Sequence, residues 1–288
     1  MRPLIIFLLV FGAALFGGAL FAWPVHLIIG TFTTADFSSS AKLATQLSGL
    51  IFSLLYLRWS DRLDLRTLGL RSDTKAVPQL VKSFAAGIFI FAVLGAALYA
   101  LGIYAGHSGR LITSGVIVQL ISGALLTGFA VALFEETVFR GALLQGLYKQ
   151  AGASSALAAV SLMYAAVHFI SYTSPVDAGV NWLTAPSQFI TVYSDLFALQ
   201  TIDAFLALFV LGLLFGLLRL RTGNILLCIG VHAGIVAGVK VFRYIAEYQP
   251  DNNYSWLVSP YDQRLGWLAF FWLSVVLGTC FIYLLRRR

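Results

Sequence analysis

The stretch "LLTGFAVALFEETVFRGALLQGL" (125–147) decides the class of this chain, because it places two adjacent acids inside a long apolar run. Between Asp73 and Asp177 the only carboxylates are those of Glu135 and Glu136. A charge at the centre of a membrane-spanning helix costs about 2.5–3.5 kcal/mol even on lenient insertion scales. Two acids in a row at such a place require a partner or a function.

The composition around this stretch is that of a membrane protein. Of 288 residues, 59% are hydrophobic and 11% are charged, and the mean hydropathy is +0.87. A soluble domain carries roughly 25% charged residues, so we expect the lipid bilayer to be the solvent of most of this chain. Cys228 and Cys280 both lie in apolar segments, so neither a disulfide framework nor a cysteine-based metal cluster is expected.

Eight apolar segments approach the length of about 20 residues that a helix needs to cross a bilayer. They cover about 3–30, 41–57, 83–104, 111–148, 153–171, 196–218, 223–245 and 265–285. The apolar part of the first segment is longer than the hydrophobic core of a signal peptide, so we expect an uncleaved helix. We predict an all-α fold, a polytopic membrane helix bundle with about eight transmembrane helices.

The basic residues predict the orientation of the bundle through the positive-inside rule. If the N-terminus is cytoplasmic, the inner connections hold 13 of the 19 basic residues, and the outer connections hold four. The inner set is Arg2, Arg58, Arg62, Arg66, Arg71, Lys75, Lys82, Lys149, Arg219, Arg221, Arg286, Arg287 and Arg288, and the outer set is Lys42, Arg110, Arg243 and Arg264. Both termini should therefore face the cytoplasm. Basic residues at segment ends, without interleaved aromatics, do not indicate nucleic-acid binding.

The two acids differ in their local partners. Arg140 follows Glu136 by four residues, so these side chains share a helix face and can pair. A buried ion pair that fixes helix packing would account for Glu136 and Arg140. Glu135 points about 100° away from Glu136 on a helix and has no such partner, so we expect it to have a function.

Two histidines lie at similar depth on other helices. At 1.5 Å per residue, Glu135, His168 and His232 lie about 20, 22 and 14 Å from the cytoplasmic ends of the predicted fourth, fifth and seventh helices. Each histidine alone could be a packing residue. Ionisable groups in membrane helices normally face the bundle interior and each other, so we predict one polar pocket. An ionised glutamate with a histidine can deprotonate water, and a second histidine can donate to an oxyanion.

The motif residues resemble those of a known family. "EETVFRG" (135–141) matches the EExxxR signature of the CPBP family, which contains type 2 CAAX prenyl proteases and Abi or bacteriocin-processing-like proteins. The second family motif, FxxxH, is Tyr164-Ala-Ala-Val-His168 here. The third is a histidine followed four residues later by Asn or Asp, and here His232 is followed by Val236.

The resemblance covers roughly 111–245 and implies an intramembrane endopeptidase acting on a membrane-associated protein or peptide. It implies that Glu135 and His168 activate water, that His232 helps to form the oxyanion hole, and that Glu136 and Arg140 brace the site. The chain would divide into N-terminal helices with a basic loop (1–110), a catalytic core (111–245) and a C-terminal helix with a basic tail (246–288). We expect the protein in the bacterial inner membrane.

The departure at Val236 leaves two interpretations open. Another donor could replace the missing side chain, or the protein could be a weak or silent relative. Lys240, eight residues after His232 and on nearly the same face, is a candidate substitute, although we expect it to extend toward the outer interface.

Other functions and a metal stay open as well. A non-catalytic scaffold or bacteriocin-immunity-type protein would keep the Glu136–Arg140 brace, and a proton-coupled transporter would use Glu135 and His168 as a relay. No cofactor is favoured. Zinc or another divalent metal on Glu135, His168 and His232 is possible, but their spacing is not the HExxH pattern of a zinc site. "GHSG" (106–109) matches the rhomboid GxSG motif by letter only, in a polar connector.

Overall fold

The structure is a computed structural model that describes residues 2–32, 34, 36–59, 68–70, 75–174, 179–192 and 198–286. Ten α-helices and two short strands account for most of these residues. They are α1 (Arg2–Gly30), α2 (Phe37–Trp59), α3 (Ala76–Ala100), β1 (Tyr104–Gly106), α4 (Ser114–Glu136), α5 (Leu144–Ala151), α6 (Ala153–Val167), α7 (Thr184–Ser187), α8 (Ile202–Thr222), α9 (Ile225–Ile245), β2 (Ala246–Tyr248) and α10 (Trp267–Arg286). A π-helical segment, Thr137–Leu143, joins α4 to α5 without a break.

Six helical stretches of the described chain are long and apolar enough to cross a membrane. They are Leu8–Gly30, Ala76–Ala100, Ser114–Ala151, Leu199–Thr222, Ile225–Ile245 and Trp267–Arg286. Each of the eight predicted segments corresponds to a helix, so the prediction of an all-α polytopic bundle is confirmed. Two of these helices are not long or apolar enough to cross a membrane: α2 carries many polar residues, and α6 is only 15 residues long.

Glycines allow the helices around the site to approach closely. A Cβ atom on Gly87 of α3 would lie 2.1 Å from the Val231 carbonyl oxygen of α9. A Cβ atom on Gly128 of α4 would lie 2.6 Å from the Ala233 carbonyl oxygen, which is also on α9. Since only glycine lacks this atom, α3 and α4 pack against α9 at backbone distance, on both sides of His232.

The stretch that contains α8 has the largest buried share of the six long stretches, so α8 lies in the interior of the bundle. It packs against α6 and α10, and α9 packs against α3 and α4. α1 and α2 form a separate pair, and α2 lies against the π-helical segment. The division of the chain at 110 and 245 stays a prediction.

One end of the bundle carries the short strands and the irregular segments. β1 and β2 pair antiparallel with Tyr104 opposite Tyr248. At the same end as the α1–α2 turn, the Ser38 backbone N–H donates to Ser174 Oγ at 3.2 Å. The basic-residue distribution predicts that this end is the outer one. Five residues of that prediction, Arg62, Arg66, Arg71, Arg287 and Arg288, lie outside the described residues.

Candidate active site

The two acids stand at the junction between α4 and the π-helical segment. α4 ends at Glu136, and the next seven residues, Thr137–Leu143, are π-helical. Such π-turns inside α-helices are rare and occur frequently at functional sites. Arg140 lies within the π-helical segment, so this local distortion sets the direction of its side chain toward the bundle interior.

Glu136 and Arg140 form a pair that is fully removed from solvent. Arg140 Nη1 lies 3.3 Å from Glu136 Oε1, and both residues are 0% exposed. Arg140 Nη2 also donates to the Gly212 carbonyl of α8 at 3.2 Å. The guanidinium carbon lies 4.3 Å from the ring centroid of Tyr164 and 5.0 Å from that of Phe215, which adds cation–π attraction. The pair therefore connects α4, α6 and α8.

His232 of α9 contacts the same carboxylate. Its Nδ1 lies 2.9 Å from Glu136 Oε1, and the residue is 4% exposed. Because a carboxylate oxygen accepts, this bond places the proton on Nδ1 and directs Nε2 away from Glu136. The ring stacks on Phe215 with centroids 5.2 Å apart. Glu136 thus does more than brace Arg140, since it also fixes the orientation of His232.

His168 lies at the end of α6 and not inside a helix. The sequence predicted a helix to 171, but α6 ends at Val167 and His168 is its C-cap. Its Nδ1 lies 2.7 Å from the Tyr164 carbonyl oxygen, which can only accept, so the proton is on Nδ1. The Tyr261 hydroxyl donates to the His168 carbonyl. These bonds to the last turn end the helix and direct Nε2 toward Glu135.

The two imidazoles meet at Glu135. Oε2 of Glu135 lies 4.0 Å from His168 Nε2 and 3.9 Å from His232 Nε2. This oxygen is buried and has no hydrogen-bond partner among the described residues. A buried carboxylate oxygen without a partner costs free energy, and the polar atoms around this small space form a site for a water molecule. The side chains predicted to converge are therefore brought together.

A cavity of about 230 Å³ opens beside Glu135 and His168. Its other walls come largely from α1 and α2, with Val10, Phe11, Ala14 and Leu15 on the first and Lys42, Thr45, Gln46, Gly49 and Ser53 on the second. The sequence reasoning missed these residues because no motif marks them, and it placed Lys42 in an outer connection although Lys42 lies inside α2. The polar residues of α2 were the available signal.

Comparison with protein families gives a match over part of the chain. Residues 116–238 match the family described as type II CAAX prenyl endopeptidase Rce1-like. The match covers less than half of the chain, so it shows that this segment is similar to the Rce1-like family. The segment contains all five predicted site residues, and it leaves out α1, α2 and α3. A search of curated proteins found no match. With its long apolar helices, the chain is an integral membrane protein.

Val236 and Lys240, which follow His232 on α9, decide whether the site has a further hydrogen-bond donor. Val236 is half-buried and offers no hydrogen-bonding side chain one turn after His232. Lys240 neither replaces it nor extends outward, because its ammonium donates to Gly123 O at 2.9 Å and Thr127 Oγ1 at 2.7 Å on α4. The expected outward extension of Lys240 was wrong, since the polar atoms of α4 lie closer than the interface.

The donor set of the site suits zinc in kind but not in arrangement. One carboxylate and two imidazoles are ligands that zinc accepts. Among the described residues, however, no group of three or more His, Cys, Asp or Glu side chains is close enough to hold a metal ion. The described residues of the site therefore do not fit a metal ion.

Proposed function

We propose that the chain is an intramembrane endopeptidase that hydrolyses a peptide bond of a membrane-associated protein or peptide with a water activated by Glu135 and His168. The observation that carries this proposal is the buried, unpartnered Glu135 Oε2, which lies about 4 Å from two imidazole Nε2 atoms and belongs to a residue that lines a cavity. The Rce1-like match supports the same class of reaction.

Water is the nucleophile in this proposal. It donates one hydrogen bond to Glu135 Oε2 and one to His168 Nε2, both of which are free to accept. Glu135 takes a proton while the oxygen attacks the substrate carbonyl carbon, which gives a tetrahedral oxyanion. The C–N bond then breaks, and the proton on Glu135 passes to the departing amine. One water is consumed, and a carboxylic acid and an amine are formed.

His232 is the proposed oxyanion donor. With a proton on Nδ1 for Glu136, it donates from Nε2 only when both nitrogens are protonated. The Glu136 carboxylate lies against that imidazole, and Arg140 contacts the same carboxylate oxygen and fixes its position. This arrangement supports a division of roles between the two acids, with Glu135 as base and Glu136 as the group that orients His232.

Location and substrate complete the proposal. We place the chain in the bacterial inner membrane with both termini cytoplasmic, on the basis of the 13 basic residues of the inner connections. There, the substrate would be a peptide, a membrane anchor or a C-terminal sorting tail. In a strain without this chain, a membrane protein that retains an extra segment would identify the substrate.

Purified protein in proteoliposomes tests the mechanism with an S-farnesylated CAAX peptide, whose products are identified by mass spectrometry. Glu135→Gln and His168→Ala should each lower kcat by about 10²–10⁴-fold while the protein stays folded. Matched controls are Glu247→Gln and His107→Ala, which change an acid and a histidine away from the cavity. Full activity in both site variants would refute the mechanism.

The same set of variants separates the other functions. A scaffold would tolerate Glu135→Gln and His168→Ala and fail only with Arg140→Ala, which breaks the brace. A proton conductor would give pH-dependent flux across liposomes without any peptide, and Glu135→Gln would abolish that flux.

A further inference from the structure

One face of α2 lines the cavity beside Glu135 and His168. Its residues are Lys42, Thr45, Gln46, Gly49 and Ser53, and their spacing of three or four residues places them on one side of a helix. This polar face explains why α2 falls short of the apolarity of a spanning helix. α2 also lies outside the segment 116–238, so the Rce1-like match assigns it no role.

The polar groups on this face are not equally available. Thr45 Oγ1 donates to the Ala41 carbonyl at 2.9 Å and lies 3.1 Å from the Tyr172 hydroxyl. Lys42 and Gln46 are exposed and make no hydrogen bond or ion pair with any other residue that the structure describes. An ammonium and a primary amide are therefore free to act on whatever fills the cavity.

The part of α2 that carries Lys42 and Gln46 packs against the segment that follows His168. Thr45 contacts Tyr172, four residues after His168, and Tyr56 accepts from Gln150, which follows Glu135 by 15 residues. α2 therefore runs in the same direction as α4 and α5. Lys42 and Gln46, three residues and one residue away from Thr45, line the same cavity as Glu135 and His168.

A peptide that is cut in a bilayer needs such groups. The scissile carbonyl must leave its helix to meet a water, and each backbone group that loses its partner in an apolar environment costs several kcal/mol. The side-chain amide of Gln46 can both donate and accept, so it can pair with an extended backbone. Lys42 carries the one full positive charge among the described residues that line this cavity, and an ammonium there favours an anion.

We propose that Lys42 binds a carboxylate of the substrate and that Gln46 pairs with the extended backbone beside it, so that α2 determines specificity. The occupant is a peptide segment with a carboxylate close to the scissile bond. The inference rests on the proposed function, because it assigns the substrate chemistry of the same cavity. It adds a determinant outside the segment that matches the Rce1-like family.

Three S-farnesylated peptides of one sequence test this assignment. The first ends in a free carboxylate, the second in an amide, and the third in an amide with glutamate as its last residue. The wild-type protein should cleave the first with a kcat/KM at least about tenfold above that of the second, the scale of one charge-assisted contact. The third peptide shows whether a side-chain carboxylate serves as well as the chain end, and either outcome supports the inference.

Variants connect the preference to Lys42. Lys42→Gln should remove the difference between the carboxylate and amide peptides, Lys42→Arg should keep most of it, and Lys42→Glu should cleave the carboxylate peptide more slowly than Lys42→Gln does. Lys82→Gln on α3 makes the same charge change on an exposed residue away from this cavity, and it should keep the wild-type preference. A wild-type protein indifferent to the carboxylate, or a Lys42→Gln variant with unchanged preference, would overturn the inference.

Two further measurements make the outcomes distinct. Lys42-dependent activity that responds to phosphatidylglycerol in the vesicles but ignores the peptide carboxylate would assign Lys42 to lipid and overturn the inference. Binding of the three labelled peptides to the Glu135→Gln protein, followed by fluorescence anisotropy, needs no cleavage. If no peptide is cut but binding depends on both the carboxylate and Lys42, the proposed function fails and the inference stands. Equal binding of all three peptides would refute it.

Discussion

His232 Nδ1 lies 2.9 Å from Glu136 Oε1, the same oxygen that Arg140 Nη1 contacts at 3.3 Å. One buried carboxylate oxygen thus holds a cation on its own helix turn and an imidazole 96 residues away along the chain. Both the packing of the helices and the orientation of His232, the candidate oxyanion donor, therefore depend on the Glu136 carboxylate.

Replacement of Glu136 should affect stability and activity together. In Glu136→Gln the buried Arg140 loses its counter-charge, which costs about 3–5 kcal/mol for a broken buried pair. His232 loses its fixed direction as well, so kcat should fall by about 10²-fold, as for a misplaced catalytic group. Thermal unfolding in detergent and peptide cleavage measure the two effects. Glu135→Gln is the comparison, since it should lower kcat without that loss of stability.

Close packing of α3 on α9 should be sensitive to one methyl group. Gly87→Ala places a Cβ atom 2.1 Å from the Val231 carbonyl oxygen, so the helices must separate beside His232. We expect a loss of about 1–3 kcal/mol, typical of overpacking, and lower activity. Gly278→Ala is the matched control, because its Cβ atom meets no other atom within 4 Å and helix propensity alone favours alanine. Equal stability of the two variants would contradict the packing argument.

The position of Val236 allows a gain-of-function test. It lies one turn after His232, where the CPBP pattern has Asn or Asp. Val236→Asn should raise kcat by about tenfold or more, because one oxyanion donor contributes about 10²–10³-fold. Val236→Leu keeps the site apolar and should not raise kcat. If Val236→Asn is no faster than wild type on a peptide that wild type cleaves, the donor at this position is not what limits the reaction.

Removal of divalent metals tests the arrangement of the three site groups. Glu135 Oε2 lies 4.0 Å from His168 Nε2 and 3.9 Å from His232 Nε2. Among the described residues, no three such side chains are arranged to hold a metal ion. We expect cleavage to persist after dialysis against EDTA and 1,10-phenanthroline, and added zinc to give no increase. Loss of activity that zinc restores would show instead that the site closes around a metal.

The membrane class and the all-α bundle followed from the sequence because the bilayer sets a minimum apolar length. A side-chain contact was predictable where both residues lie on one helix, as with Glu136 and Arg140, which are four residues apart. The end of α6 at His168 was not, because apolar residues continue to Ile170 and the helix stops through bonds to Tyr164 and Tyr261. The π-helical turn at Thr137–Leu143 has no sequence signal that we could identify.

The sequence by itself determined that this chain crosses a membrane, that Glu136 pairs with Arg140, and that Glu135 and two histidines occupy one depth. Periodicity and apolar length carry that information because both act along a single helix. Only the tertiary structure decided that His232 bonds to Glu136, that Glu135 Oε2 remains without a partner, and that Lys42 of α2 faces the same cavity. Those contacts join helices far apart in the chain, and they depend on how closely glycines let the helices pack.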